Sequence, residues 1–429
     1  MRPNTVILST LAFLPVAITA LAPSRAWVPP IRAVAAPAIP TPTLTSDFKK
    51  GNVSAQWAPG HPLQWGTEEK KYVFPDSFYF AALSGDERYV AIVNNTNIQV
   101  LSFPDFTLIS TPTYPFRGDQ VSAEIFRVAP NGQYDLLVAA TKYSNDIATR
   151  DRVFQIRLSG NGTQIGDAIE RAGQLTTFET TYSGFTTPFS PINRRFLVKD
   201  GANVTAYDLD DVTYNLTLSG HTDSLMSAVF SPDGKYVATA AWDGYGKLWD
   251  ATTGKLIHDF GPFTGQQNWL ARFSPDGTQV IISVGGRAHV MIWKVEDLTA
   301  EPAVLGPYQD WVRTIEYSPD GKYLATGEYG YIRIYKTSDW SVVQTWEAED
   351  RDQWEIYQLA WLDGGKRLTY RALHGVEVYD FETNLKYRWG PGDFDHSNSG
   401  TDSTWLVKSK GWIGGVKGDL SIGLWKYPS

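Results

Sequence analysis

The sequence contains no cysteine, so it can form neither a disulfide bond nor a metal site with thiolate ligands. It has no cluster of lysine and arginine, and its formal net charge of −8 at pH 7 argues against nucleic acid as a partner. It also lacks Gly-x-Ser-x-Gly, His-Glu-x-x-His and a phosphate-binding loop, and its six histidines show no metal-ligand spacing. We therefore predict neither a cofactor nor a metal, and no residue can be named as catalytic.

The most regular pattern in the sequence lies between Ser219 and Phe260. Four short segments rich in β-branched and aromatic residues are separated there by turn residues. Pro presets φ, Asp bonds its own backbone and Gly adopts positive φ, so each of these residues favours a turn. A lone meander of this size cannot bury both of its faces, so it requires neighbours of the same kind. We predict that the segments are the strands of an antiparallel meander: Leu225–Phe230, Tyr236–Ala241, Lys247–Trp249 and Lys255–Phe260.

The turn that follows the first of these segments, Ser231-Pro-Asp-Gly234, recurs along the chain. It is repeated at residues 274–277 and 318–321, and weaker copies begin at residues 84, 129, 190, 362 and 408. Successive copies are 41 to 46 residues apart, with one interval of 61. A period of this length with four strands in each repeat is typical of the blades of a β-propeller. Aromatic residues make up 14% of the sequence, which suits sheets packed face to face.

The repeat resembles that of the WD-repeat family, whose Gly-His and Trp-Asp marks stand here as Gly220-His221 and Trp249-Asp250. The match is closest over residues 219–260 and good over 268–294 and 311–336; elsewhere it extends only to hydrophobic pattern and turn position. The resemblance implies an all-β fold, a single propeller of four-stranded blades that spans residues 47–429. It also implies a buried structural network of hydrogen bonds in the fourth blade, formed by His221, Thr239, Asp243 and Trp249.

Three members of that network, Thr239, His221 and Asp243, are also the residue types of a catalytic triad. We favour the structural interpretation, because the repeat accounts for every partner.

We predict eight blades, with seven as the alternative if the first or the last repeat does not form its own sheet. The last repeat ends one strand short, while Asn52–Trp57 is a strand-like stretch that has no other partner. We therefore expect an N-terminal strand near Asn52–Trp57 to supply the missing outer strand and close the ring. Closure removes two open sheet edges, which would otherwise favour aggregation.

The N-terminal region predicts secretion. Within residues 1–26, Arg2 is followed by an uncharged stretch from Thr5 to Pro23. This pattern is typical of a signal peptide, and the alternative is a membrane anchor. Residues 27–46 are rich in proline and alanine and indicate a linker. Five Asn-x-Ser/Thr sites predict a secreted glycoprotein, although Asn and Thr also favour turns in general. These glycosylation sites are Asn52, Asn94, Asn161, Asn203 and Asn215.

The candidate binding residues lie where the chain leads into the later blades, on the face that the resemblance implies for binding. A polar pair precedes a tryptophan before the fifth, sixth and seventh blades, and two aspartates precede the eighth. Exposed tryptophan beside amide and carboxylate groups suits peptide or sugar recognition, and the alternative is that these tryptophans pack between blades. The residues are Trp269, Asp310, Trp311, Asp352, Trp354, Asp393 and Asp395.

These observations favour a secreted binding or scaffolding protein that recognises a protein or peptide partner through the loop face of blades five to eight. The acidic residues on that face favour a basic partner. The alternative is an extracellular propeller enzyme or a glycan-binding lectin that uses the central funnel. Converging carboxylates or a bound metal at the propeller axis would favour the alternative.

Overall fold

A computed structural model describes the following parts of the chain: residues 56–57, 68–73, 80–93, 97–113, 120–129, 131–144, 147–172, 174–175, 189–263, 267–285, 289–308, 310–328, 331–347, 356–372, 375–389, 404–407, 411–416 and 421–426. All of them belong to one compact unit, Pro40–Ser429. The predicted signal peptide and the predicted linker lie outside the described residues, so both stay predictions.

The described residues form eight β-sheets and no α-helix. Two strands precede the repeats, β1 (Gln56–Trp57) and β2 (Glu68–Val73). The first sheet contains β3 (Phe80–Leu83), β4 (Tyr89–Val93), β5 (Ile98–Ser102) and β6 (Leu108–Ser110). The second contains β7 (Gln120–Val128), β8 (Tyr134–Ser144), β9 (Ile147–Leu158) and β10 (Ile169–Ala172). The third contains β11 (Gln174–Leu175), β12 (Arg195–Asp200), β13 (Asn203–Asp208) and β14 (Asn215–Leu218).

The fourth sheet contains β15 (Leu225–Phe230), β16 (Tyr236–Ala241), β17 (Gly246–Asp250) and β18 (Leu256–Phe260). The fifth contains β19 (Ala271–Phe273), β20 (Gln279–Val284), β21 (His289–Lys294) and β22 (Ala303–Leu305). The sixth contains β23 (Thr314–Tyr317), β24 (Tyr323–Glu328), β25 (Tyr331–Lys336) and β26 (Val342–Glu347). The seventh contains β27 (Tyr357–Leu362), the 3₁₀ turn Asp363–Gly365, β28 (Arg367–Ala372), β29 (Gly375–Asp380) and β30 (Leu385–Trp389). The eighth contains β31 (Thr404–Val407), β32 (Trp412–Val416) and β33 (Ser421–Lys426).

Within every sheet, strands that are consecutive in the sequence pair in antiparallel fashion. The prediction of an all-β fold built from four-stranded blades is therefore confirmed. The agreement is closest in the fourth sheet, where the first two strands have the predicted bounds. Each Ser-Pro-Asp-Gly turn is held by its serine, whose hydroxyl donates to the aspartate two residues on, as Ser231 does to Asp233 at 2.7 Å.

An N-terminal strand completes the last sheet, but it is not the predicted one. Gln56–Trp57, the described part of the predicted stretch, pairs in parallel with β30 of the seventh sheet. The outer strand of the eighth sheet is instead β2, antiparallel to β33, with Tyr72 opposite Ile422. The strand escaped prediction because it begins with Glu-Glu-Lys-Lys, which lacks the apolar alternation of a half-buried strand. Such polarity is ordinary in an outermost strand, whose far edge meets solvent.

The core lies between the sheets. Seven clusters of buried apolar side chains join each sheet to the next from the first to the seventh, and the eighth to the first. In the last of these contacts, Ile422 and Leu424 of β33 pack against Val90 and Leu101. The described residues include no cluster between the seventh and eighth sheets, so closure of the ring stays a prediction.

The second strand of a sheet is buried on both faces, which explains its apolar sequence. All five residues of β4 are buried. Successive side chains of a strand point to opposite faces, so Val90 and Ile92 contact the eighth sheet while Ala91 and Val93 contact the second. This arrangement places the polar ends of the strands, and the loops between them, on the two faces of the stack of sheets.

Candidate functional site

The fourth sheet contains a chain of four hydrogen-bonded side chains. The indole N–H of Trp249 donates to Thr239 Oγ1 at 2.9 Å, and His221 Nε2 lies 2.7 Å from the same oxygen. His221 Nδ1 lies 2.8 Å from Asp243 Oδ2. An indole N–H can only donate, so the hydroxyl proton of Thr239 points to Nε2 and the ring proton on Nδ1 is donated to Asp243. Thr239 is fully buried, which withholds its hydroxyl from any substrate and supports the structural interpretation over a catalytic triad.

Burial and hydrogen bonding set the charges of this chain. Burial lowers the pKa of His221, although Asp243 opposes the shift. Burial disfavours the ionised form of Asp243, but backbone hydrogen bonds from Thr222 and Tyr245, together with the His221 ring, hold its pKa below the ordinary value. A neutral imidazole beside an ionised carboxylate is the state that these hydrogen bonds require at neutral pH.

Replacing His221 by alanine should lower the free energy of unfolding by about 1–3 kcal/mol at pH 7, because Thr239 and Asp243 lose their partner. The folded state lowers the pKa of His221, so the unfolded state binds more protons and the histidine stabilises the fold fully only above about pH 6.5. The difference between the wild type and His221→Ala should therefore shrink as the pH falls below that value. Urea titrations of both proteins at pH 7.5 and pH 5.5 measure this difference in unfolding free energy. A difference that grows on acidification would contradict the neutral state assigned to His221.

A stack of three tryptophans and one arginine lies where the chain leads into the fifth and sixth sheets. Trp242 follows β16 and contacts Trp269 edge to face, with ring centroids 5.2 Å apart. The centroid of Trp269 is in turn 5.8 Å from that of Trp311. The guanidinium carbon of Arg313 lies 3.5 Å from the Trp269 centroid and 4.8 Å from the Trp311 centroid. The cation therefore contacts both indoles, and we call these four residues the aromatic stack.

The stack is partly buried and partly open to solvent. Arg313 is buried, with 6% of its surface exposed, whereas all three tryptophans are half-buried. Counted back from the turn serines, Trp269 and Arg313 occupy the same position, five residues before Ser274 and Ser318. Equivalent positions on neighbouring sheets lie side by side, which explains why the arginine faces an indole. The tryptophans thus pack between sheets, as the alternative interpretation expected, and each residue still has part of its surface open to solvent.

A buried ion pair supports the segment that carries Trp311. Arg333 Nη2 lies 2.6 Å from Glu328 Oε1, and both side chains are almost fully buried. The backbone N–H of Asp310 donates to Glu328 Oε2 at 3.2 Å, and Arg333 Nη1 donates to the carbonyl of Pro307 at 3.3 Å. The same guanidinium lies 4.5 Å from the Tyr308 ring centroid. The pair therefore fixes residues on both sides of Tyr308 and positions the start of the sixth sheet.

The structure brings together some of the predicted binding residues. Trp269 and Trp311 belong to the aromatic stack, and Asp310 is exposed beside it, with its carboxylate accepting from the backbone N–H of Trp311 at 2.7 Å. Sequence reasoning missed Trp242 and Arg313; the shared position of Arg313 and Trp269 relative to the turn was the available signal. The remaining predicted binding residues lie outside the described residues: Asp352, Trp354, Asp393 and Asp395.

The predicted glycosylation sites are accessible where the structure describes them. Asn161, Asn203 and Asn215 are exposed. Asn52 and Asn94 lie outside the described residues. Exposure is required of an acceptor asparagine, but it is also ordinary for asparagine in turns, so glycosylation stays a prediction.

The described residues contain no group of three or more histidine, aspartate or glutamate side chains placed to hold a metal ion. Nor does any helix among them have the length and apolar character needed to span a membrane.

Comparison with known proteins identifies the repeats. The family model described as WD domain, G-beta repeat matches residues 213–250 and 302–336. The first match contains the hydrogen-bonded chain of the fourth sheet, and the second contains Trp311, Arg313 and the buried ion pair. The chain thus carries WD40 repeats in these two regions.

The curated relatives of the chain include proteins named for WD repeats. Actin-interacting protein 1 of Drosophila melanogaster is 26% identical over 151 residues, which are 34% of this chain and 23% of that protein. WD repeat and SOCS box-containing protein 1 of Homo sapiens is 32% identical over 97 residues, 23% of each chain. Small ribosomal subunit protein RACK1y of Oryza sativa subsp. japonica is 30% identical over 151 residues, 32% of this chain and 41% of that protein. The matched region spans less than half the length of each of these relatives.

Proposed function

Because the chain carries WD40 repeats, we propose that it is a protein-interaction scaffold that recognises a protein or peptide partner through the loop face of the fifth to eighth sheets. The name of one relative, Actin-interacting protein 1, describes an interaction with another protein. The match covers 34% of this chain and 23% of that protein, so we carry over the class of function and not the particular partner.

The aromatic stack is the observation that carries the proposal. Binding energy at protein interfaces is concentrated in a few tryptophan, tyrosine and arginine side chains. Here Arg313 holds Trp269 and Trp311 in place before any partner arrives. Side chains that are already ordered lose little conformational entropy on binding, so the exposed parts of the rings form a preorganised contact surface.

The charges around the stack favour a basic partner. Asp310 is exposed next to Trp311, and the chain as a whole has a formal charge of −8. Acidic groups at the rim of an interface increase the association rate of a basic partner and make it depend on salt. Asp352, Asp393 and Asp395 would add to this rim if they lie on the same face.

We further propose that the protein acts outside the cell. The support is the leader-like sequence of residues 1–26 and the exposure of the three described glycosylation sites. The partner should accordingly be sought among extracellular proteins, with the mature chain recovered from culture medium as bait.

Replacing Trp311 by alanine should weaken binding of a captured partner by at least about 30-fold, because a hot-spot tryptophan contributes about 2 kcal/mol or more. Affinity capture from extracellular fluid, followed by calorimetry with the purified partner, measures the effect. Val343→Ala, which truncates an exposed residue on the outer strand of the same sheet, is the matched control. Equal affinity of the wild type and Trp311→Ala, with unchanged unfolding temperatures, would refute the proposal.

A further inference from the structure

The turns that join first and second strands pack against one another at three junctions between sheets. A methyl group on Gly234, in the turn of the fourth sheet, would collide with Ile192 of the third sheet. One on Gly277 of the fifth sheet would lie 3.6 Å from Pro232 of the fourth, and one on Gly365 of the seventh would lie 3.8 Å from Pro319 of the sixth. The preceding turn therefore covers the turn glycine at each of these junctions.

The turn of the sixth sheet is open, as is that of the second sheet, where a methyl group on Gly132 would have no neighbour within 4 Å. A methyl group on Gly321, in the turn of the sixth sheet, would have no neighbour within 4 Å. A surface cavity of about 390 Å³ occupies the place where the preceding turn would pack. Its walls are the Ser-Pro-Asp-Gly turns of both sheets together with Gln279 and Tyr317. The Tyr317 hydroxyl donates to Gln279 Oε1 at 2.7 Å, which joins the two walls.

One of the two carboxylates that line the cavity, that of Asp276, has no basic partner among the described residues. In the fourth and sixth sheets, the turn aspartate forms an ion pair at 2.8 Å with the lysine two residues on, Asp233 with Lys235 and Asp320 with Lys322. In the fifth sheet Thr278 stands in the position of that lysine. None of the residues that line the cavity is basic.

One of the two carboxylate oxygens of Asp276 is therefore available to accept hydrogen bonds from a ligand. Its Oδ1 accepts from Ser274 Oγ at 2.6 Å, from the N–H of Thr278 at 3.0 Å and from Thr278 Oγ1 at 2.8 Å. Hydrogen bonds from Ser274 and Thr278 lower the pKa of Asp276, so it is ionised at neutral pH. Its second oxygen has neither a basic partner nor a hydrogen-bond donor among the described residues, unlike that of Asp320.

We propose that this cavity binds the guanidinium group of an arginine side chain presented by a partner protein. Charge complementarity supports the proposal, because the carboxylate of Asp276 lacks a cation in the described part of the chain and a guanidinium offers donors on several edges. Its weakly hydrated planar faces also suit a cavity walled by Pro275, Pro319 and Tyr317. The cavity and the aromatic stack lie at opposite ends of the same first strands, so this site is independent of the proposed loop-face function.

The test compares two capped tripeptides, acetyl-Gly-Arg-Gly-amide and acetyl-Gly-Gln-Gly-amide, as probes of the full mature chain. The chain is labelled with ¹⁵N-glycine, and the amide signal of Gly321 is followed during titration. We expect the arginine tripeptide to shift this signal in a saturable way and the glutamine tripeptide to leave it unchanged. The effect should weaken as salt is added, since the carboxylates are exposed.

Thr278→Lys is the decisive variant. Lysine already occupies the equivalent position in the fourth and sixth sheets, so the variant keeps the local fold and gives Asp276 an internal partner. We expect it to weaken binding of the arginine tripeptide at least tenfold, whereas Asp233→Asn, in a turn that does not line this cavity, should leave affinity unchanged. Unchanged affinity in Thr278→Lys, equal binding of both tripeptides, or the lack of a saturable shift would each overturn the proposal.

Discussion

Replacing Arg333 by alanine will lower the free energy of unfolding by about 3–5 kcal/mol, because it leaves the carboxylate of Glu328 charged and buried without its counter-ion. The two side chains are 4% and 1% exposed, so water cannot replace the lost guanidinium. The substitution also removes the hydrogen bond to the carbonyl of Pro307 and the contact with the Tyr308 ring. Urea denaturation of the purified chain measures the loss.

A double replacement separates the ion pair from its parts. Arg333→Met combined with Glu328→Gln removes both charges while keeping similar volumes, and it should recover most of the stability lost in Arg333→Ala. Glu328→Gln alone leaves the arginine buried and should be destabilising. A loss below about 1 kcal/mol in Arg333→Ala would show that the pair is solvated and does not position the start of the sixth sheet.

Trp249→Ala should be comparably damaging, with an expected loss of about 3–5 kcal/mol, because it empties a large volume in the core between the third and fourth sheets. It also removes the only N–H that donates to Thr239 in the hydrogen-bonded chain of the fourth sheet. Trp249→Phe keeps much of the apolar volume but lacks the donor, so it should cost less. Denaturant titration of both variants divides the loss between packing and hydrogen bonding.

Leu256→Ala is the matched control for Trp249. It lies directly opposite Trp249 on the neighbouring strand but is 44% exposed, so its truncation should change stability by no more than about 0.5 kcal/mol. Equal losses in Trp249→Ala and Leu256→Ala would show that Trp249 is not the central side chain of this core.

The strands of the fourth sheet were predictable because every signal that defines them is local. Turn residues, apolar alternation and the repeat itself all indicate the same bounds, and Leu225–Phe230 and Tyr236–Ala241 were predicted without error. The strand that completes the eighth sheet was not predictable in this way. Glu68–Val73 pairs with Ser421–Lys426 at the other end of the chain, and its charged sequence gives no local signal of a strand.

The aromatic stack was only half predictable for a related reason. Trp269 and Trp311 were recognised from the polar pairs that precede them, although they differ in position relative to the turn. The structure explains the difference: Arg313 takes the position equivalent to Trp269, and Trp311, two residues earlier, contacts the same guanidinium. The shared position relative to the turn could have indicated that Arg313 faces Trp269, but the contact of Trp311 with the same guanidinium depends on how the sheets pack.

Site-specific photo-crosslinking at position 311 tests the proposed binding face most directly. A photo-reactive amino acid in place of Trp311 should form a covalent adduct with the bound partner on irradiation. The same group in place of Val343, on the outer strand of the same sheet, should form none. An adduct at 343 and not at 311, in a chain that still binds its partner, would contradict the account and place the interaction on the outer rim of the sheets.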